Sequence, residues 1–123
     1  MKISVIIPTL NEDSHIGKTL QSVIKQEGDY EVCVVDGGST DNTVAIAKRY
    51  TCVINSKRGR AIQMNAGANL CRGDVLLFLH ADTLLPDNAF REVRKRMRDE
   101  TVAGGSFYIA FDADNFILRG VSF

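Results

Sequence analysis

Tryptophan is absent from this sequence, proline occurs twice, and cysteine three times in 123 residues. With so little proline and no Gly/Ser-rich stretch, no segment has a linker's composition, and one domain is expected over residues 1–123. Cys33, Cys52 and Cys71 are odd in number and far apart, which argues against a disulfide framework and a C-x-x-C zinc site. They read as buried free thiols in a reducing compartment. No charge is in excess, since 15 basic and 15 acidic residues cancel. A nucleic-acid binder would show a basic surplus, so that class is set aside. No apolar run approaches the roughly 20 residues that span a bilayer, and the opening run Ile3–Ile7 is too short for a secretory signal. The expectation is a cytoplasmic protein with no transmembrane segment, with peripheral membrane association or oligomerisation left open.

Familiar motifs are missing too. No G-x-G-x-x-G follows the first apolar run, and there is neither a Walker lysine loop nor a G-x-S-x-G elbow. Those absences weigh against dinucleotide binding, P-loop chemistry and a serine-hydrolase site.

What is present is a regular alternation. The β-branched run Ile3–Ile7, stopped by Pro8, reads as a buried strand, and Val32–Val35, Cys52–Ile54, Val75–Leu79 and Ser106–Phe111 read as further strands. Between them, Ile16, Leu20, Val23 and Ile24 recur at helical spacing, with Ser14 as the expected cap and Gly28 as the stop. Ser39-Thr40-Asp41 opens a second helix carrying Val44, Ala47, Lys48 and Arg49. Ala61, Met64 and Ala68 line a third, and a fourth starts at Pro86 or Asp87 with Phe90, Val93 and Met97 on one face. Strands alternating with helices predict an α/β fold, a three-layer, mostly parallel sheet with flanking helices.

Ligands of such sheets collect at the carboxyl ends of the strands. Three polar clusters sit there: Pro8 to Glu12, Asp36 to Asp41, and His80 to Asp82. Asp36, ending an apolar strand, should face the crevice, although a turn role fits it equally, while Asp41 reads as a structural cap. Lys57-Arg58-Gly59-Arg60 puts three cations just ahead of a helix, an arrangement suited to a diphosphate. A solvated loop is the plainer reading for Lys57 and Arg58, which leaves Arg60 as the better candidate. If the fourth strand continues, His80 and Asp82 share one side. Asp82 would suit a hard cation, while His80 is tolerable for Mn²⁺ and poorer for Mg²⁺. His15 reads as a surface helix residue.

Three stretches together resemble the family-two glycosyltransferases: Val5-Ile6-Ile7-Pro8-Thr9-Leu10-Asn11-Glu12, Val34-Val35-Asp36-Gly37-Gly38-Ser39-Thr40-Asp41, and Gly73-Asp74 through Asp82. Their order and spacing match over about residues 3 to 90, and Leu79-His80-Ala81-Asp82-Thr83 matches a smaller subfamily at the D-x-D position. The resemblance implies a nucleotide-diphospho-sugar transferase (GT-A-like) fold. It implies that Pro8, Thr9, Asn11 and Glu12 line the nucleoside pocket, that Asp36 accepts a hydrogen bond from the base, and that Arg60 approaches the base or phosphates. Asp82, with His80 in the position where Asp is commoner, would hold Mn²⁺ or Mg²⁺ against the diphosphate. The implied reaction is transfer of a sugar from a nucleotide diphosphate donor, UDP-linked, to an unidentified hydroxyl acceptor with inversion. The family's acceptor site and base lie well beyond the D-x-D, so the chain is expected to lack the C-terminal acceptor part. Asp112 and Asp114 are the carboxylates that remain, and neither matches a base motif. Two alternatives stand beside this reading. One is a noncatalytic nucleotide-binding module. The other is a nucleotidyltransferase, disfavoured because the first loop has no glycine or base.

Overall fold

The computed structural model describes residues 1–99, 107–112 and 115–120. Six strands form one sheet in the order β3-β2-β1-β4-β5-β6, where β1 is Ile3–Thr9, β2 Tyr30–Asp36, β3 Cys52–Asn55, β4 Val75–Leu79, β5 Phe107–Asp112 and β6 Asn115–Gly120. The first five pair in parallel, and β6 returns antiparallel along β5. The expected parallel α/β sheet is therefore present, with one antiparallel strand at its edge.

The helices are α1 (Ile16–Ile24), α2 (Thr43–Ala47), α3 (Arg60–Leu70) and α4 (Ala89–Asp99). From β1 the chain steps outward through α1 to β2 and through α2 to β3. It then returns through α3 to β4, on the other side of β1. Right-handed crossovers put outward and returning helices on opposite faces. Accordingly α1 and α2 pack on the face carrying Ile3, Val5, Ile7, Val34 and Leu77; α4 also packs on this face, although its step from β4 to β5 runs in the same direction as that of α3. α3 covers Ile6, Cys33, Val35, Leu76 and Phe78 on the other. Alternation along β1 divides its side chains between these two cores. Side chains such as Ile7, Leu20, Leu77 and Phe90 are fully enclosed, each contributing about 1.5–3 kcal/mol through burial.

Several local expectations change. Ser14 does not cap α1; the Glu12 carbonyl accepts from the His15 and Ile16 N–H groups instead. Ile24 is exposed at the end of its helix. α2 is only five residues long, so Lys48 and Arg49 follow it rather than fill its last turns. α3 meets the sheet through Gln63 and Gly67, while Ala61 faces solvent and Met64 and Ala68 are half-buried. Gly67 is required by that approach, because a Cβ there would lie 2.5 Å from Ile6 Cγ2. α4 begins at Ala89, two or three residues later than expected, with Phe90, Val93 and Met97 buried on one face. All three cysteines are free, but only Cys33 is buried, with Cys52 exposed.

Among the described residues no helix is long and apolar enough to cross a membrane.

Candidate functional site: a cleft at the carboxyl ends of β1 and β4

β1 and β4 are neighbours in the sheet, the loops after them lead to α1 and α4 on one face, and the start of α3 approaches from the other. A crevice opens there. It is a cleft of about 240 Å³ whose lining includes Pro8, Thr9, Arg60 and His80 of the predicted site residues. Gly59 and Arg58, at the entry to α3, complete its basic side, and Met64, Phe78 and Leu79 supply apolar wall.

Beside the cleft, the loops after β1 and β2 are knitted together. Asn11 adopts a left-handed conformation (φ 54°), which Asn tolerates better than most residues. Its backbone N–H donates to Ser39 Oγ at 2.8 Å, and its Oδ1 accepts from the Thr40 N–H at 2.8 Å. The Glu12 N–H donates to Thr43 Oγ1 at 2.8 Å, and the Glu12 carboxylate pairs with exposed His15 at 3.2 Å. Asp41 Oδ1 accepts from the Thr43 N–H at 2.9 Å and from Thr43 Oγ1, an Asx turn just ahead of α2, whose cap position is Asn42. Asn11 and Glu12 are thus bound to the second loop and do not line the cleft.

Asp36 lies beneath this junction and is only 2% exposed. Its Oδ1 accepts from Thr9 Oγ1 at 2.9 Å and from Ser39 Oγ, and its Oδ2 from the Gly38 and Ser39 N–H groups at 3.0 and 2.8 Å. Gly38 makes the turn possible through its positive φ of 100°. Burial alone would push the Asp36 carboxyl up, but these hydrogen bonds to the ionised form outweigh it and hold the group below its ordinary value. A carboxylate offers about four lone-pair sites. All are supplied by the protein, so a base N–H reaching Asp36 would share or displace a donor.

Gln63 was not singled out from the sequence. It is buried at 4% exposure, and its Nε2 donates to the carbonyls of Thr9 and Val35, each at 2.9 Å. Its Oε1 accepts from the Gly59 N–H at 3.3 Å. One side chain therefore ties the ends of β1 and β2 to the start of α3. The available signal was a long polar residue four positions before Gly67 on the sheet-facing stripe of α3.

The third cluster differs from its expectation. β4 stops at Leu79, and a turn follows in which the Thr83 N–H donates to the His80 carbonyl at 3.0 Å. Strand alternation therefore does not relate His80 to Asp82. His80 lines the cleft, and its Nε2 lies 2.6 Å from Arg60 Nη2. Asp82 is exposed outside the lining, and its Oδ1 is approached by Thr83 Oγ1 at 3.5 Å. Among the described residues no group of three or more His, Cys, Asp or Glu side chains is placed to enclose a metal. As a ligand to a hard cation the Asp82 carboxylate fits, being accessible and weakly engaged. His80 fits poorly, because its Nε2 lone pair is already taken by a guanidinium. Asp112 lies at the end of β5, and Asp114 falls outside the described residues.

Residues 4–122 match the family described as Glycosyl transferase family 2. A PGL/p-HBAD biosynthesis glycosyltransferase of Mycobacterium tuberculosis is 40% identical over 91 residues, covering 67% of this chain and 36% of the relative. Among solved structures, Staphylococcus aureus TarS 1-349 in complex with UDP superposes with a TM-score of 0.69 at 27% identity, over 80% of this chain and 32% of that one. The mannosyltransferase PcManGT of Pyrobaculum calidifontis, in complex with GDP-Man and Mn²⁺, gives a TM-score of 0.73 at 25% identity, over 83% of this chain and 33% of that one. The chain spans about a third of the length of these relatives. With the family match running through nearly all of its residues, the chain belongs to glycosyl transferase family 2.

Proposed function

We propose that the chain is the donor-binding part of a glycosyltransferase, taking a nucleotide diphosphate sugar, UDP-linked, for inverting transfer to a hydroxyl acceptor. The observation that carries this is the cleft at the β1/β4 switch point, with Arg58, Arg60 and the start of α3 on one side and Pro8 and Thr9 on the other. N–H groups at the start of α3 that no side chain caps, and a guanidinium with no carboxylate partner among the described residues, stabilise a diphosphate by charge-assisted hydrogen bonds. Gln63 and Asp36 hold the strand ends and the Asp36–Ser39 turn in place, so that the nucleoside meets a preformed surface. UDP and Mn²⁺ in complexes of structural relatives support the ligand class. Asp82 would hold the cation, Mn²⁺ or Mg²⁺, which when bound supplies Lewis-acid stabilisation of the departing diphosphate. The single domain over residues 1–123 provides donor recognition in this reading, and no catalytic base is assigned.

Calorimetric titration of the chain with UDP and GDP, each with and without Mn²⁺ or Mg²⁺, is the test. Binding of UDP with a free energy of about −8 to −4 kcal/mol is expected, strengthened by metal in the parent and not in Asp82→Asn. No heat with either nucleotide at millimolar concentration would defeat the donor-site reading. Release of sugar from a UDP-sugar by this chain would separate an enzyme from a noncatalytic nucleotide-binding module.

A further inference from the structure

In the commoner family pattern an Asp occupies the position of His80, and the expectation carried over from it was a metal ligand. The geometry points to a different task. Arg60 Nη2 lies 2.6 Å from His80 Nε2 at the wall of the cleft. A guanidinium has no acceptor and stays charged, so Arg60 donates and His80 Nε2 accepts. Accepting through Nε2 requires the tautomer with its N–H on Nδ1. We infer that His80 is a positioning residue for Arg60, orienting the guanidinium across the diphosphate cleft, and is not a metal ligand.

Two physical points support this. First, a cation and the guanidinium would compete for the same Nε2 lone pair, and ligation would also bring two positive charges together. Second, the identity of the acceptor matters for the ligand. An Asp here would pair with Arg60 and cancel the charge that an anionic ligand needs, whereas a neutral imidazole fixes the direction of the guanidinium and leaves its charge uncancelled. The ion pairs among the described residues are Lys2–Glu31 and Glu12–His15, and none of the described carboxylates pairs with Arg60. Arg60 is also the first residue of α3, where its charge adds to the positive end of the helix. The consequence is a donor site whose hold on the diphosphate comes in good part from an aimed arginine, with a metal resting on Asp82.

This inference rests on the proposed nucleotide cleft, and its test separates the two. UDP affinity is measured calorimetrically in EDTA and again with Mn²⁺ for the parent, His80→Ala, His80→Gln, Arg60→Ala and the double variant. In EDTA, His80→Ala should weaken UDP binding by about fivefold, as loss of one orienting hydrogen bond implies. The double variant should bind no more weakly than Arg60→Ala alone. His80→Gln, which restores a neutral acceptor, should recover most of the loss. The factor by which Mn²⁺ strengthens binding should be the same in His80→Ala as in the parent. Additive losses, or disappearance of the Mn²⁺ effect in His80→Ala, would overturn the assignment and return His80 to the metal. A nucleotide-free readout stands apart: ¹⁵N NMR of the His80 ring should show unprotonated Nε2, with its shift moving in Arg60→Ala. Should the parent bind no UDP, the cleft reading fails, while the ring spectrum still decides whether His80 holds Arg60.

Discussion

Removing the Asp36 carboxylate tests whether the junction of the first two loops depends on a buried charge. Its two oxygens accept from Thr9 Oγ1, Ser39 Oγ and the N–H groups of Gly38 and Ser39. Hydrogen bonds to a charged acceptor contribute about 1.5–3 kcal/mol each, but they are not additive and donors near the surface regain water. Thr9 is the donor enclosed at 2% exposure and left without a partner. Asp36→Ala should therefore cost about 3 kcal/mol in total, and the nearly isosteric Asp36→Asn somewhat less. At an m-value of about 2 kcal/mol/M, the urea midpoint of Asp36→Ala falls by about 1.5 M. The pH dependence follows from the direction of the shift. The folded carboxyl titrates below its ordinary value of 3.8, so its contribution is whole above that pH and disappears as pH falls through the lower folded value. The gap between parent and Asp36→Asn should be constant from about pH 7 to 5 and narrow below 3.8. A midpoint unchanged in Asp36→Asn, or a gap that persists undiminished to pH 2, would refute the buried-charge argument. An unchanged midpoint with a large loss of UDP affinity would show that Asp36 acts on the ligand.

Two further substitutions probe packing and exposure. Gly67→Ala forces a methyl to 2.5 Å from Ile6 Cγ2 and 3.0 Å from Val35 Cγ2, so it should destabilise by about 1–3 kcal/mol in thermal unfolding. Gly17→Ala, whose Cβ would lie 3.5 Å from Ile46 Cγ2, should be neutral or stabilising by up to about 1 kcal/mol. Cys52 is exposed, and the Cys71 thiol is pushed up by its hydrogen bond with Cys33 and by burial. Titration with a thiol reagent at neutral pH should therefore show one fast group that Cys52→Ser abolishes. The Cys33 group should appear only on unfolding.

The alternation of short apolar runs with helical spacing was legible in the sequence because each periodicity reports one residue's burial independently of distant neighbours. That was enough for the parallel sheet, the positions of β1 to β5, and the placing of polar clusters at strand ends. The Val5–Glu12, Val34–Asp41 and Gly73–Asp82 stretches carried the resemblance to the family for the same reason: each is contiguous in the chain. Local order could not say which atoms meet across the fold. Asp36 is satisfied by a threonine 27 residues away, and Gln63 bonds a carbonyl 54 residues away, so neither partnership has a sequence signal of its own. His80 and Asp82 were paired by assuming that a strand ran on, but the turn at His80 ended it and turned the imidazole to Arg60, 20 residues away. Which of the polar residues at the strand ends hold the scaffold and which face the cleft was decided by the tertiary structure. A buried donor or acceptor takes whichever partner packing brings within reach, and that partner is set by the crossing of α3 over the sheet.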